Sequence, residues 1–305
     1  MTSKRFSKLF GNKTRNPEKE KLTQFHMDIA SSIQSVTEDV MLRITNSLAR
    51  EYGIKNLCLA GGVALNCVAN GKILRNGKFE NIWIQPAAGD AGGSLGAALG
   101  LWHIELKKNR TINSKDSMQG SYLGPEYSQD EVEKKLKKIG SNFEVFDDEQ
   151  LIEKTAQELS NGKAVGWFQG RMEFGPRALG CRSILGDARS ENMQKTLNLK
   201  VKFRESFRPF APSIIREDLS NWFDLNCDSP YMLLVSNVVN EKCRTMTEKE
   251  KALFGIDKLN VKRSDIPAVT HVDYSARVQT VHKETNPKYY KLILEFKKKT
   301  GCPVI

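Results

Sequence analysis

Between residues 22 and 106, two short apolar runs each end on glycine, and each is followed by a stretch with helical periodicity. Ahead of them, Phe25, Ile29, Ile33, Val36, Val40, Ile44 and Leu48 recur at intervals of three and four. That is the period of one helix face, and it predicts a helix over 22–52 with Gly53 suited to the C-cap. Asn56–Ala60 then reads as a short strand, Gly61 and Gly62 as a turn, and Ala64–Leu74 as a helix. Asn81–Gln85 reads as a second strand, leading into AAGDAGGSLGAALGLW, a glycine-rich turn that feeds a helix of small residues. This order is that of an α/β fold. It puts both glycine turns at strand ends, where ligands usually bind in such folds.

The remaining chain divides by composition. Residues 1–20 read as a flexible basic tail, and 109–127 (NRTINSKDSMQGSYLGPEY) as a polar, turn-rich linker. Ser128 and Glu131 form a capping box before a Lys-rich helix. Asp147 or Asp148 caps another helix, with Leu151, Ile152, Thr155, Ala156 and Leu159 on one face and Gly162 at its end. A strand over Ala164–Phe168 delivers an Arg-rich segment. Residues 231–239 read as a buried strand, 288–299 as a helix, and Cys302–Ile305 as the start of another strand. GCPVI stops inside an apolar run, and two strands do not make a self-sufficient sheet. Both ends therefore lead to the expectation that the chain is a fragment.

The net charge of +11 fits either a nucleic-acid footprint or a substrate cage on a solvated Lys-rich surface. Lys occurs in short solvated runs such as Lys297–Lys299, and no nucleic-acid-binding motif accompanies it, so the cage is favoured and nucleic acid is unlikely as a partner. Six scattered cysteines without a CxxC suit reduced thiols. The four histidines are not paired at metal-ligand spacing. No run reaches the roughly 18 apolar residues of a membrane helix, and the N-terminus lacks a secretory h-region, so the expected location is the cytoplasm.

Four constellations carry chemistry. In AGGVALN, Gly61 and Gly62 allow backbone N–H groups to approach a nucleotide, or simply make a tight turn. In PAAGDAGGSLGAA, Asp90 is a candidate ligand for a hard cation or a ribose hydroxyl, or a helix cap, and Gly92 and Gly93 permit close approach. In GRMEFGPRALGCRS and the stretch after it, Arg171, Arg177, Arg182, Arg204 and Arg208 bring rigid guanidinium forks that match phosphate or carboxylate oxygens. Glu173 is expected to orient an Arg or hold a substrate amino group. Lys200, Arg204 and Arg208 recur at four, as on one side of a helix. In PAVTHVDYSARVQTV, Arg277 either joins the cage or pairs with Asp273, and His271 reads as a structural histidine.

Together, LCLAGGVALN, QPAAGDAGGSLGAAL, GRMEFGPRALGCRSIL, KFRESFRPFAPS and PAVTHVDYSARVQTV resemble the signatures of the carbamoyltransferases of the nodulation and antibiotic-tailoring type. The resemblance implies part of an actin-like ATPase-type domain over 21–108 and a YrdC-like domain over 128–305. It also implies a reaction. Carbamoyl phosphate and ATP give carbamoyl-adenylate, releasing phosphate and pyrophosphate, and the carbamoyl group then passes to a hydroxyl of a small-molecule or sugar acceptor with the aid of a divalent metal, iron or magnesium. By position, Arg171, Arg177, Arg182, Lys200, Arg204 and Arg208 would hold phosphates and the carbamoyl group. Gly61, Gly62, Asn66, Gly92, Gly93, Ser183 and Arg277 would line the nucleotide site, and Asp90 would ligate the metal.

The departures from the family pattern are specific. The family's first strands and histidine metal ligands are missing, as is the segment expected after GCPVI, and Tyr274 stands where a glycine is expected. Turnover is thus expected to need a complementing polypeptide, and a homodimer is expected from the family. The same residues also fit two other readings: a threonylcarbamoyl-adenylate enzyme acting on tRNA, and a nucleotide-binding remnant without turnover.

Overall fold

The computed structural model describes residues 3–112 and 116–305; the first two residues of the expected tail and residues 113–115 of the expected linker lie outside them. Within the segment read as a tail, Lys4–Leu9 form helix α1, capped by Ser3. The long helix is present as α2, Gln24–Tyr52. It starts at a Thr23/His26 capping box and ends at Gly53, which takes the left-handed φ of 62°. Strand β1 (Asn56–Leu59) pairs in parallel with β2 (Asn81–Ile84), and α3 (Cys67–Arg75) crosses between them. Helix α4 (Asp90–Gly100) follows and runs on as a wider turn through Glu105. Gly92 is required here: a Cβ on it would lie 2.2 Å from the Ala87 carbonyl oxygen. The α/β order read from the sequence is therefore the observed one.

Helix α2 packs in an unexpected way. Its buried residues are Glu38 and Thr45, and Met41, Leu42 and Ala49 pack on Leu57, Ile73 and Phe79. Glu38 is paired with Lys72 of α3, and the side-chain amides of Gln34 and Asn66 exchange hydrogen bonds of 3.1 and 3.0 Å. The stripe Ile33, Val36, Val40, Ile44 and Leu48 faces outward. A two-stranded sheet and one short helix cover only one side of so long a helix.

In the second half, α5 (Gln129–Lys138) and α6 (Asp148–Ser160) carry the expected caps, Ser128 with Glu131 and Asp147. Strands β3 (Val165–Phe168) and β4 (Arg182–Leu185) are antiparallel, and the Arg loop joins them. After the short α7 (Met193–Thr196) come β5 (Ser213–Ile215), β6 (Leu234–Asn237), the helices α8 (Glu248–Lys251) and α9 (Gly255–Leu259), β7 (Ser275–Val281) and α10 (Pro287–Thr300). The sheet order is β5-β7-β6, parallel on one side of β7 and antiparallel on the other. The segment after α10 pairs with β5: Ser213 and Ile305 exchange backbone hydrogen bonds of 2.8 and 3.1 Å. Helices α6 and α10 cover this sheet with Ala156, Leu159, Leu292, Ile293 and Phe296, all fully buried.

The strand expected over 231–239 is regular only over 234–237. Its carbonyls are partly taken by α3 instead. Asn70 donates to the Leu233 oxygen (3.1 Å) and Arg75 to the Val235 oxygen (3.0 Å). Gly71 lets the two backbones meet, since a Cβ there would lie 2.3 Å from the Val235 oxygen. Of the expected linker, residues 116–127 run along the Arg loop: the Phe174 N–H donates to the Ser121 oxygen (2.7 Å) and the Gly124 N–H to the Met172 oxygen (2.8 Å). Among the described residues, no helix is long and apolar enough to cross a membrane.

Candidate functional site

The Arg loop is shaped by a buried carboxylate. Glu173 Oε1 accepts from the backbone N–H groups of Leu179 (2.7 Å), Cys181 (2.8 Å) and Arg182 (3.2 Å). It thus folds the loop back on itself rather than orienting a guanidinium. Gly180 permits the return, with φ of 98° and no room for a Cβ against the Tyr289 ring. Gln279 of β7 ties the loop to the sheet by donating to the Leu179 oxygen (2.9 Å) and accepting from Ser213 (2.8 Å).

The loop forms one wall of a cleft of about 730 Å³. Arg177 and Ser183 come from the loop and β4, Arg204 and Arg208 from the segment before β5, and Arg277 from β7. Alternation along β7 points Arg277 to the same face as Gln279. Cys67 and Val68 at the start of α3 close the far side, and Arg177 donates to the Leu65 oxygen (3.3 Å).

The expected single helix face for Lys200, Arg204 and Arg208 is not observed. A wide turn over Leu197–Val201 ends the helix, and Phe203 takes a left-handed φ of 48°. Lys200 stays on the exposed side, and Lys202 lines the cleft instead. The fully buried Asn198 organises the departure. It donates to the oxygens of Ser206 (3.0 Å) and Arg208 (2.8 Å) and accepts from Arg204 Nε (2.7 Å). Lone polar Asn198 in the apolar run TLNLKV was the signal for this role.

Two arginines of the motif point elsewhere. Arg182 donates to the carbonyls of Gln169 (2.6 Å), Cys181 (2.9 Å), Gly170 (3.0 Å) and Pro125 (3.3 Å), with its guanidinium 3.6 Å from the centre of the Phe168 ring. Arg171 is exposed and bonds the Gly124 oxygen, beside Glu126. Gly61 and Gly62 lie at the first glycine turn and Gly93 in the first turn of α4, with nothing near where a Cβ would stand. The Asn66 side chain caps α3 through the Ala69 N–H (3.1 Å) as well as pairing with Gln34. Asp90 is the exposed first residue of α4. Among the described residues, no three His, Cys, Asp or Glu side chains gather as a metal site. The residues present therefore do not make up the implied metal site.

Arginines dominate the cleft; Asp187 also lines it, but its carboxylate is paired with Arg189 at 2.7 Å. Arg277 is held below the usual arginine value by burial and by the charges of Arg177 and Arg204, and the Cys67 sulfur beside it partly offsets them. Arg177 Nε is buried without a hydrogen-bond partner. Among the described residues, none of Arg177, Arg204 and Arg277 forms an ion pair with a carboxylate, whereas Arg208 pairs with Glu205 at 2.9 Å. All three guanidiniums are half-buried along the cleft, so their positive charges face one another without a carboxylate between them.

The glycine turns fall within one matched family region, and the Arg loop and the β7 segment within another. The carbamoyltransferase N-terminus family model matches residues 1–99, and the carbamoyltransferase C-terminus model matches 156–305. The chain belongs to the carbamoyltransferase family. Part of the family's N-terminal region is thus represented, including the segment read as a tail. An uncharacterized protein of Synechocystis is 56% identical over the whole chain, which spans 50% of that relative. Nodulation protein NolNO of Sinorhizobium fredii is 39% identical across 93% of the chain and 39% of its own length. Nodulation protein NolO of Bradyrhizobium diazoefficiens is 37% identical across 93% of the chain and 48% of its own length. The chain spans half or less of the length of these relatives.

Proposed function

We propose that the arginine cleft activates a carbamoyl group: carbamoyl phosphate and ATP react there to give carbamoyl-adenylate, and the carbamoyl group is then transferred to a hydroxyl of a small-molecule or sugar acceptor. The observation that carries this reading is the convergence of Arg177, Arg204 and Arg277 with none of them, among the described residues, ion-paired to a carboxylate. The cleft volume falls in the range of about 300–1,000 Å³ usual for small-ligand sites. Fixed guanidinium forks would bind phosphoryl oxygens and stabilise the charge that develops at phosphorus and at the carbonyl. Ser183 adds a hydroxyl at the loop wall, although its oxygen already accepts from the Gly180 N–H at 2.9 Å.

On this reading, residues 21–108 correspond to part of an actin-like ATPase-type domain and 128–305 to a YrdC-like domain. The parallel β1–α3–β2 unit and the β5-β7-β6 sheet support that division. Asp90 would contribute to a divalent metal site for the transfer step only together with ligands from outside the described residues, for example from a complementing polypeptide or a second copy. A cytoplasmic location follows from the chemistry of the two proposed phosphate substrates.

The deciding experiment is ATP–pyrophosphate exchange by the full chain. Exchange should require carbamoyl phosphate and should fall by about 100-fold or more in Arg177→Ala, the scale for removing one fixed charge-stabilising donor. Arg171→Ala should leave it within a few-fold. Exchange independent of carbamoyl phosphate would reject the reading.

A further inference from the structure

The proposed reaction has an atom balance that points to an unassigned residue. Carbamoyl phosphate and ATP each contain one bridging oxygen at the bond that breaks. The products carbamoyl-adenylate, phosphate and pyrophosphate need three oxygens at the corresponding positions. One water must therefore be consumed, and its protons must be moved.

His271 lines the same cleft as Arg177 and Arg277. Its Nδ1 lies 3.0 Å from Ser275 Oγ, and Ser275 Oγ lies 2.6 Å from Asp273 Oδ1. A hydroxyl has one proton. Given to the Asp273 carboxylate, it leaves Ser275 Oγ as the acceptor for His271, so the ring proton sits on Nδ1 and Nε2 presents a lone pair. Among the described residues, Nε2 has no hydrogen-bond partner, and it is not sealed away as Arg177 Nε is. The backbone at this point is clamped by the buried Arg263, which donates to the oxygens of His271 (3.0 Å) and Thr270 (3.3 Å).

We infer that His271 is the general base of the activation step, positioned by Ser275 and Asp273; the inference rests on the function proposed above. A water bound at Nε2 attacks the carbamoyl carbon of a carbamoyl phosphate held by the arginines. The new C–O bond forms and the C–O bond to phosphate breaks. One water proton passes to Nε2, the other to the departing phosphate, and carbamate remains. The carbamate oxygen then attacks the α-phosphorus of ATP and pyrophosphate leaves. Burial lowers the His271 pKa, Asp273 opposes that shift, and Arg277 and Arg263 reinforce it. The ring is thus neutral and basic near pH 7.

The test is phosphate release from carbamoyl phosphate by the full chain, with and without ATP, alongside ¹⁵N-histidine NMR. His271→Asn should lower kcat by about 100-fold or more with little change in KM, in the range for loss of a general base. Added imidazole should restore part of the rate. The acid limb of the wild-type rate, with a midpoint below the ordinary histidine value, should vanish. Asp273→Asn should weaken the same limb while keeping the fold. The wild-type ring should be the Nδ1–H tautomer. An active wild type with His271→Asn within threefold of it, or an Nε2–H tautomer, overturns the base role alone. A wild type with no carbamoyl-phosphate-dependent exchange overturns the functional reading and the base role with it.

Discussion

Helices α2 and α10 both carry apolar stripes, and the two have opposite fates. On α10, Leu292, Ile293 and Phe296 are fully buried against the three-stranded sheet and α6. On α2, Ile33, Val36 and Ile44 are 56%, 59% and 55% exposed, while Glu38 and Thr45 are buried. Periodicity thus reports that a helix forms and where its apolar stripe runs. It does not report whether that stripe is covered, because cover depends on what the rest of the structure places opposite it. The site follows the same division. The first region contributes one wall through α3, and the second contributes the charges.

This contrast can be tested by substitution. Phe296→Ala should lower stability by about 3–5 kcal/mol in urea denaturation, the cost of emptying a large core site. Val36→Ala should change it by about 0.5 kcal/mol or less, as for an exposed position. A large loss from Val36→Ala would show that the outer face of α2 is covered in solution. Gly71→Ala should cost about 1–3 kcal/mol, because the new methyl must displace the Val235 carbonyl. It should also loosen the wall formed by Cys67, read as faster amide exchange in α3 and β6.

The smallest expected effect is a pH dependence confined to the second region. The His271 pKa is lower in the folded chain than in the unfolded one, chiefly through burial. Between those two values the unfolded chain binds more protons, so stability rises with pH there and is lost as pH falls below about 6.5. The melting temperature should drop more between pH 7 and 5 in the wild type than in His271→Asn. Equal slopes would count against a buried neutral ring.

Much of the fold was legible because its signals are local. Ser128 with Glu131, Asp147 and Gly53 act within a few residues of themselves, and each caps its helix as read. The glycine expected at position 274 has a structural counterpart, since Tyr274 takes a left-handed φ of 65°. Glu173 instead folds its own loop. Three backbone N–H groups set that arrangement, and the Ser275–Asp273 contact beside His271 is likewise invisible from spacing alone. Helical spacing failed for Lys200, Arg204 and Arg208 because the backbone leaves the helix at Val201 and turns through Phe203.

What the sequence determined by itself was the α/β order, the two glycine turns, the abundance of arginine in one segment and membership in the carbamoyltransferase family. The tertiary structure alone decided which charges meet. Arg177, Arg204 and Arg277 lie far apart in the chain and converge because Gln279, Asn198 and Glu173 fold their segments onto one cleft. Arg182, a few residues from Arg177, is turned away to bind backbone carbonyls. Local propensity acts over a few residues, whereas the field at a site is summed over whatever folding brings within several ångströms.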